Sequence, residues 1–167
     1  MSSNAHWRLM QKSDLADVCQ IASICHPDYP EDENILAEKQ LLSPQTCFTL
    51  EKDGKAVGYV LAHPWNLNNI PPLNCLLNVL PQDADSLYLH DIAILPQARS
   101  SGAGGQAFSA LEKVALKQGL HAMALVAVNG SSPYWRSKGF NVPEMNEALK
   151  AKLLTYSDDA LYMVKAL

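Results

Sequence analysis

Apolar runs with a two-residue period, or with little polar interruption, predict short strands along the chain. The clearest signal is 46–65, where two β-rich runs flank Asp53-Gly54, a dipeptide typical of tight hairpin turns. Further strands are predicted at 7–11, 86–95, 121–128 and 160–167. These runs supply the strands of one sheet.

Apolar residues spaced three to four positions apart predict helices between the strands. Asp14 is suited to begin a helix over 14–25, and the acids of 28–33 to begin a second one at about 32–42. An amphipathic helix is predicted at 105–119 and a short helix with a turn at 131–140. The pattern predicts a mixed α/β (α+β) fold in a single domain, 1–167.

The connection at 66–85 is rich in proline and asparagine and carries no strong helix or strand signal. A loop of this length is uncommon inside a compact domain unless it has a function, such as covering a substrate. The acids of 28–33 precede it in sequence and are a second loop feature, either a solvated stretch or an attraction for a cationic amine.

Composition excludes several classes of function. The formal net charge is -4, with 13 basic and 17 acidic residues and no basic block, so we expect no nucleic-acid partner. Before Trp7 there is no signal-peptide pattern, and no apolar run approaches the roughly 20 residues of a membrane span, so we expect a soluble, cytoplasmic protein. The four cysteines show no C-x-x-C spacing, and we expect neither disulfides nor a metal site.

Glycine and serine are concentrated in ILPQARSSGAGGQAF, residues 94–108, between a predicted strand and a predicted helix. This order aims several main-chain N–H groups at one point beside the positive end of the helix dipole, which is a corner that binds phosphate. Glycine matters there because a Cβ would hold the anion away from the backbone. Arg99 adds a positive charge at the mouth of the corner.

Two common phosphate motifs do not fit this stretch. A Walker A motif requires Gly-Lys-Ser/Thr, but Gly104 is followed by Gly105 and Gln106. A dinucleotide fingerprint requires an acid about 20 residues further on, and Ala122 stands there.

The hexapeptide Arg99-Ser100-Ser101-Gly102-Ala103-Gly104 resembles the R/Q-x-x-G-x-G/A loop of the GNAT superfamily of acyl-coenzyme A dependent N-acetyltransferases. Its context strengthens the likeness: Ile92-Ala93-Ile94-Leu95-Pro96 precedes it, and Trp135-Arg136-Ser137-Lys138-Gly139-Phe140 follows where the family has aromatic-x-x-x-Gly-Phe. The resemblance implies a twisted, mostly antiparallel central sheet with helices on both faces and two splayed central strands.

The resemblance also implies a site for acetyl-coenzyme A. The pantetheine arm would pair with the main chain of the strand at 86–95, and the glycine-rich corner would hold the pyrophosphate. The implied cofactor-binding residues are Ile92, Ala93, Ile94, Arg99, Ser100, Ser101, Gly102, Ala103, Gly104, Gly105, Asn129 and Trp135.

The chemistry implied is attack of a neutral amine on a thioester. An alkylammonium costs about 4 to 5 kcal/mol to deprotonate at pH 7, so a base is useful, and imidazole titrates near neutrality. His90 is the candidate base, with Tyr88 beside it on a proton path; strand alternation places both on one face with Ile92 and Ile94, and Asp91 on the other.

Two details bear on the family likeness. YLHDIAI, residues 88–94, is similar to the corresponding strand of arylalkylamine N-acetyltransferases, but only the second of their two histidines is present, because Tyr88 replaces the first.

The family often has a tyrosine four residues before the Gly-Phe glycine to protonate the leaving thiolate. Trp135 stands there, and Tyr134 is the candidate acid; otherwise Tyr134 and Trp135 serve packing and the cofactor wall.

These observations predict direct acetyl transfer from acetyl-coenzyme A to a primary amine, with a small amine favoured. A protein N-terminus or lysine remains an alternative acceptor. A non-catalytic acyl-coenzyme A sensor, and a structural partner with an empty corner, remain alternatives of a different class. A homodimer is possible.

Overall fold

The computed structural model describes residues 5–167, except the side chains of Ser100 and Ser101. Within that range it contains one six-stranded sheet, in which the strands lie in the order of the sequence. The strands are β1 (His6–Leu9), β2 (Cys47–Lys52), β3 (Lys55–Trp65), β4 (Ser86–Ile94), β5 (Ala122–Ala127) and β6 (Leu161–Ala166). Only β4 and β5 are parallel; all the other neighbours in the described sheet are antiparallel. The predicted mostly antiparallel sheet is confirmed.

Five α-helices lie in the described part of the chain: α1 (Leu15–Cys25), α2 (Glu33–Leu42), α3 (Ala103–Lys117), α4 (Ser132–Ser137) and α5 (Glu147–Leu154). Helix α5 was not predicted, because only two of its residues, Leu149 and Leu153, are buried and they leave a weak apolar pattern. Asn146 begins α5, since its side chain accepts the Leu149 N–H at 2.8 Å. None of the helices within 5–167 is both long and apolar enough to cross a bilayer.

Helices cover both faces of the sheet, as predicted. Alternation along β3 sends Val60 and Ala62 into a core with α3, and Tyr59 and Leu61 into a core with α1 and α2. Helix α5 packs beside Tyr88, on the same face as α1 and α2. The sheet is therefore buried on both sides along its centre.

The pairing of β3 with β4 contains a bulge at His90. Leu61 lies opposite Asp91, but the next residue, Ala62, lies opposite Leu89, so His90 is an extra residue without a partner in the register. The predicted alternation is therefore wrong beyond this point. His90 and Asp91 both point to the α1 and α2 face, whereas Ile92 packs towards the α3 core on the opposite face.

Candidate active site

Strands β4 and β5 separate after a short parallel contact, as predicted. They pair only from Ser86 to Tyr88 and from Ala122 to Ala124. Beyond these residues a cavity of about 450 Å³ opens between the strands. Side chains from both strands and from the neighbouring loops line it, among them Leu89, His90, Ile92, Leu125, Val126, Val128, Asn129, Tyr134 and Trp135.

The glycine-rich corner lies beyond the carboxyl end of β4. A short 3-10 helix (Pro96–Ser101) leads to Gly102, which has a φ of 75° and directly precedes α3. Because the first N–H groups of a helix have no partner within the helix, the α3 N-terminus presents main-chain donors and a positive dipole end here. A Cβ on Gly102 would meet nothing within 4 Å, so the backbone is open at this point.

Tyr134 and Lys138, from the short helix and turn at 131–140, lie at the same corner. A Cβ on Gly104 would lie 3.0 Å from the Tyr134 hydroxyl, and a Cβ on Gly105 would lie 3.8 Å from the Lys138 ammonium. The Lys138 Nζ also lies 5.6 Å from the centre of the Tyr134 ring. The sequence reasoning missed Lys138, although its i, i+4 spacing from Tyr134 could have indicated it.

Arg99 lies at the cavity but turns towards the strand. Its Nε donates to the carbonyl oxygen of Ile94 at 2.7 Å, and its Nη2 approaches the Cys25 sulfur at 3.8 Å. The side chains of Ser100 and Ser101 lie outside the described residues. Lys138 places a positive charge beside Gly105, in addition to that of Arg99 at the cavity.

The end of β4 directs main-chain groups into the gap. Leu95 donates its N–H to Val57 on the β3 side, so alternation places the polar groups of Ile92 and Ile94 on the β5 side. The Ile92 carbonyl is also 3.1 Å from His26 Nε2. Ala93 lies opposite Tyr59 and packs into the α1 and α2 core, so its side chain is not part of the cavity wall.

The side chain of His90 is buried at the cavity and is hydrogen-bonded to Glu31. The two side chains are 2% and 7% exposed, and Nε2 lies 2.7 Å from Glu31 Oε1. Since a carboxylate only accepts, Nε2 donates the hydrogen. His90 Nδ1 is buried and has no hydrogen-bond partner among the described residues.

Tyr88 and His63 lie beside His90. The rings of His63 and His90 are 6.4 Å apart and those of Tyr88 and His90 are 6.3 Å apart. Burial, with the charge and hydrogen bond of Tyr156, raises the pKa of Tyr88 well above its ordinary value. Burial, with the charge of His90, lowers the pKa of His63 to about 3, so His63 is neutral at physiological pH.

A second histidine–carboxylate pair, His26 with Asp91, lies next to the pair of His90 and Glu31. His26 Nε2 is 2.8 Å from Asp91 Oδ1, and the Tyr59 hydroxyl donates to the other oxygen of Asp91. The hydrogen bond with Asp91 raises the pKa of His26 above its usual value. Asp91 reaches these partners only because the bulge turns it towards α1, which explains why sequence alternation missed the pair.

The remaining predicted residues lie around the corner and the cavity. Tyr134 is 45% exposed, and partial burial raises the pKa of its hydroxyl. Trp135 is buried against Phe108 and Phe140 and donates its indole N–H to Ser131, so it combines packing with a place in the cavity wall. Asn129 lines the cavity with a φ of 57°. Among the described residues, no group of three or more His, Cys, Asp or Glu could hold a metal ion.

Most of the sequence matches the model of one protein family. The model of the acetyltransferase (GNAT) family matches residues 14–140, which is most of the chain. This chain belongs to the GNAT family. No curated protein matches it at the threshold applied.

Solved GNAT-like structures share the fold of this GNAT protein at low sequence identity. Ard1 from Thermoplasma volcanium is 14% identical with a TM-score of 0.75, covering 98% of this chain and 97% of its own. Arabidopsis thaliana Naa50, in complex with the bisubstrate analogue CoA-Ac-MVNAL, is 11% identical with a TM-score of 0.72, covering 98% and 99%. The GNAT-like decarboxylase GphF, in complex with isobutyryl-CoA, is 16% identical with a TM-score of 0.76, covering 96% and 98%.

At these identities the likeness shows the fold alone. The neighbours include the GNAT-like decarboxylase GphF and the ribosomal-protein-S18-alanine N-acetyltransferase from Escherichia coli, so the acceptor and the reaction of this GNAT member have to be argued from its own residues.

Proposed function

We propose that this GNAT protein transfers the acetyl group of acetyl-coenzyme A directly to a primary amine, with a small amine as the favoured acceptor. The observation that carries the proposal is a single cavity that is lined both by residues next to the phosphate-binding corner and by a candidate general base. Towards the α3 N-terminus it meets Tyr134 and Arg99, and deeper in the sheet it meets a buried histidine with a free ring nitrogen.

The corner fits a diphosphate. The bare backbone from Gly102 to Gly105, the dipole end of α3 and the Lys138 ammonium all favour an anion at one place. Acyl-coenzyme A ligands in the complexes of GphF and Naa50 support the assignment to acetyl-coenzyme A. Ile92 and Ile94 would pair with the pantetheine arm through main-chain groups, and binding through their carbonyls requires His26 and Arg99 to release them.

His90 would act on the amine. Because Nε2–H donates to Glu31, the lone pair of neutral His90 is on Nδ1, where it can take a proton directly or through a water. The amine nitrogen attacks the thioester carbonyl, the C–N bond forms, the C–S bond breaks, and the proton lost by the amine passes to Nδ1. Tyr88 stands beside this path but retains its own proton, since its pKa is raised.

Tyr134 is the candidate donor to the leaving thiolate. Its hydroxyl is protonated at neutral pH, as a general acid requires, but partial burial raises its pKa and so makes it a weaker acid than an exposed tyrosine. A thiol with a pKa of about 8.5 needs only about 2 kcal/mol of help at pH 7, so this contribution is smaller than that of the base.

The residues of the 66–85 segment and of the loop before α2 that line the cavity favour a small acceptor. The 66–85 segment places Leu73 in the cavity wall, and Ile70 is buried in the core beside Tyr88. Tyr29, Glu31 and Tyr156 complete that end, which combines aromatic faces with one carboxylate, a setting that favours a cation.

The test measures release of free thiol from acetyl-coenzyme A with a panel of small primary amines and, beside it, a panel of peptides with free N-termini and lysines. The proposal predicts turnover with at least one small amine at a higher kcat/KM than with any peptide. Coenzyme A binding by calorimetry without turnover on either panel would contradict it and favour an acyl-coenzyme A sensor.

A further inference from the structure

Glu31 divides its two oxygens between the candidate base and the 66–85 segment. Oε1 accepts the Nε2–H of His90 at 2.7 Å, and Oε2 accepts the main-chain N–H of Asn74 at 2.9 Å. The side chains of His90 and Glu31 are 2% and 7% exposed, so the loss of either partner of the bond between them is costly, whereas the bond from Asn74 is exposed to solvent.

We propose that Glu31 is a positioning residue that keeps the proton of His90 on Nε2. The proposal rests on the proposed function, in which His90 Nδ1 takes the proton of the amine.

The tautomer follows from the chemistry of the pair. An ionised carboxylate has no hydrogen to give, so the imidazole nitrogen facing it must carry one. The opposite nitrogen, Nδ1, is then the only basic atom of neutral His90, and it is the ring nitrogen without a protein partner. Without the Glu31 carboxylate, no described hydrogen bond holds the proton on Nε2, and Nδ1 would carry it in a share of molecules.

The groups around the pair keep Glu31 ionised. Burial alone would raise the pKa of Glu31, but the hydrogen bond and charge of His90, the Asn74 N–H and the charge of Lys39 together lower it. His63 and Tyr88 face His90 from β3 and β4, while Tyr59 and Tyr156 also lie in the field of the Glu31 carboxylate. His63 is neutral and the three tyrosines have raised pKa values, so none of the four supplies a competing charge at neutral pH.

The chain offers a matched control in Glu38. Its Oε1 accepts the N–H of Leu77 at 2.6 Å and its Oε2 accepts the N–H of Asn78 at 2.9 Å. Glu38 therefore holds the same segment by the same kind of bond as Glu31, but it makes no contact with His90 among the described interactions. A variant at Glu38 loosens the segment alone.

The experiment compares Glu31→Gln with Glu38→Gln in the full chain. Glutamine keeps the shape of glutamate but has one NH₂ group in place of an oxygen, so it cannot accept from both His90 and Asn74. We expect Glu31→Gln to lower kcat by tenfold or more and to move the acidic limb of the kcat/KM profile to lower pH, since a carboxylate stabilises an adjacent imidazolium. We expect Glu38→Gln to raise the amine KM and to leave kcat and the pH profile unchanged.

Equal effects of the two variants, or an unshifted profile in Glu31→Gln, would overturn the proposal, because Glu31 would then only hold the segment. Glu31→Asp, which keeps the charge on a shorter side chain, should recover the position of the acidic limb.

A second measurement does not depend on turnover. Nitrogen-15 chemical shifts of the His90 ring should report the Nε2–H tautomer in the wild type and in Glu38→Gln, and a larger share of Nδ1–H in Glu31→Gln. A wild-type ring with the proton on Nδ1 would overturn the positioning proposal whatever the activity. If the ring shows Nε2–H but no amine is acetylated, the proposed function fails, and the positioning of a base fails with it.

Discussion

At the scale of single residues, the proposed chemistry depends on His90. We predict that His90→Gln lowers kcat about 10² to 10⁴-fold, because the variant has no basic nitrogen for the proton of the amine, while coenzyme A binding is retained. The pH profile of the remaining activity should be flat through the neutral range.

Steady-state rates over that pH range, with calorimetry of coenzyme A, check this prediction. His121→Gln is the control, since His121 is exposed and does not line the cavity. A profile for His90→Gln that keeps the wild-type acidic limb would assign the limb to another group.

Two of the residues argued to matter, Glu31 and Lys138, carry only weak signals in the sequence, for a physical reason. Glu31 and Lys138 contact His90 and the glycine corner across long stretches of chain, and both could equally be solvated surface charges. By contrast, the helix after the glycine-rich stretch was predicted, at 105–119, because that signal is local; α3 begins two residues earlier than predicted, at Ala103.

At the scale of secondary-structure elements, the mostly antiparallel sheet and the gap between β4 and β5 were expected from the family resemblance, but the bulge was not. A bulge arises from register between two strands, and nothing in YLHDIAI itself states where the extra residue lies. The bulge places His90 and Asp91 side by side on one face, where His90 bonds Glu31 and Asp91 bonds His26.

The close pairing of β3 with β4 leads to a prediction at Gly58. A Cβ there would lie 2.9 Å from the Ala93 carbonyl oxygen and 3.3 Å from the Ile94 Cα, both of them backbone atoms that cannot turn aside. We expect Gly58→Ala to lower the free energy of unfolding by about 1 to 3 kcal/mol and to weaken coenzyme A binding, because β4 has to shift.

Urea unfolding measures the effect, with Gly105→Ala as the control. The added methyl group at 105 would meet only the Lys138 Nζ, at 3.8 Å, and stands in the first turn of a helix. Its free energy of unfolding should be unchanged or slightly higher. A Gly58→Ala protein as stable as Gly105→Ala would contradict the tight pairing.

At the scale of the whole molecule, the buried neutral His63 makes stability depend on pH. Burial lowers its pKa to about 3 in the folded protein, whereas an unfolded histidine titrates near 6.5. Between these values the unfolded chain binds the extra proton, so the free energy of unfolding falls as the pH falls, by up to about 1.4 kcal/mol per pH unit.

Chemical unfolding in steps from neutral pH down to about pH 5 isolates this effect, because the lowered pKa values of Asp14 and Glu31 act only at lower pH. His26, with its raised pKa, adds stability below its folded value and so works in the opposite direction. We expect His63→Gln to lose most of the slope and His121→Gln to keep it. A His63→Gln protein that keeps the wild-type dependence of stability on pH would contradict the neutral, buried state of His63.

The central claim is that the bare N-terminus of α3 holds the diphosphate of coenzyme A, and calorimetric titration of Gly104→Asp tests it most directly. The new carboxylate would stand at the corner, whereas Ser109→Asp adds the same charge to an exposed position further along α3. An acid in the first turn does not destabilise the helix, and the Tyr134 hydroxyl, 3.0 Å from the new Cβ, ends a half-exposed side chain that can move. The account predicts coenzyme A binding by the wild type and Ser109→Asp and none by a folded Gly104→Asp; undiminished binding by Gly104→Asp would contradict it.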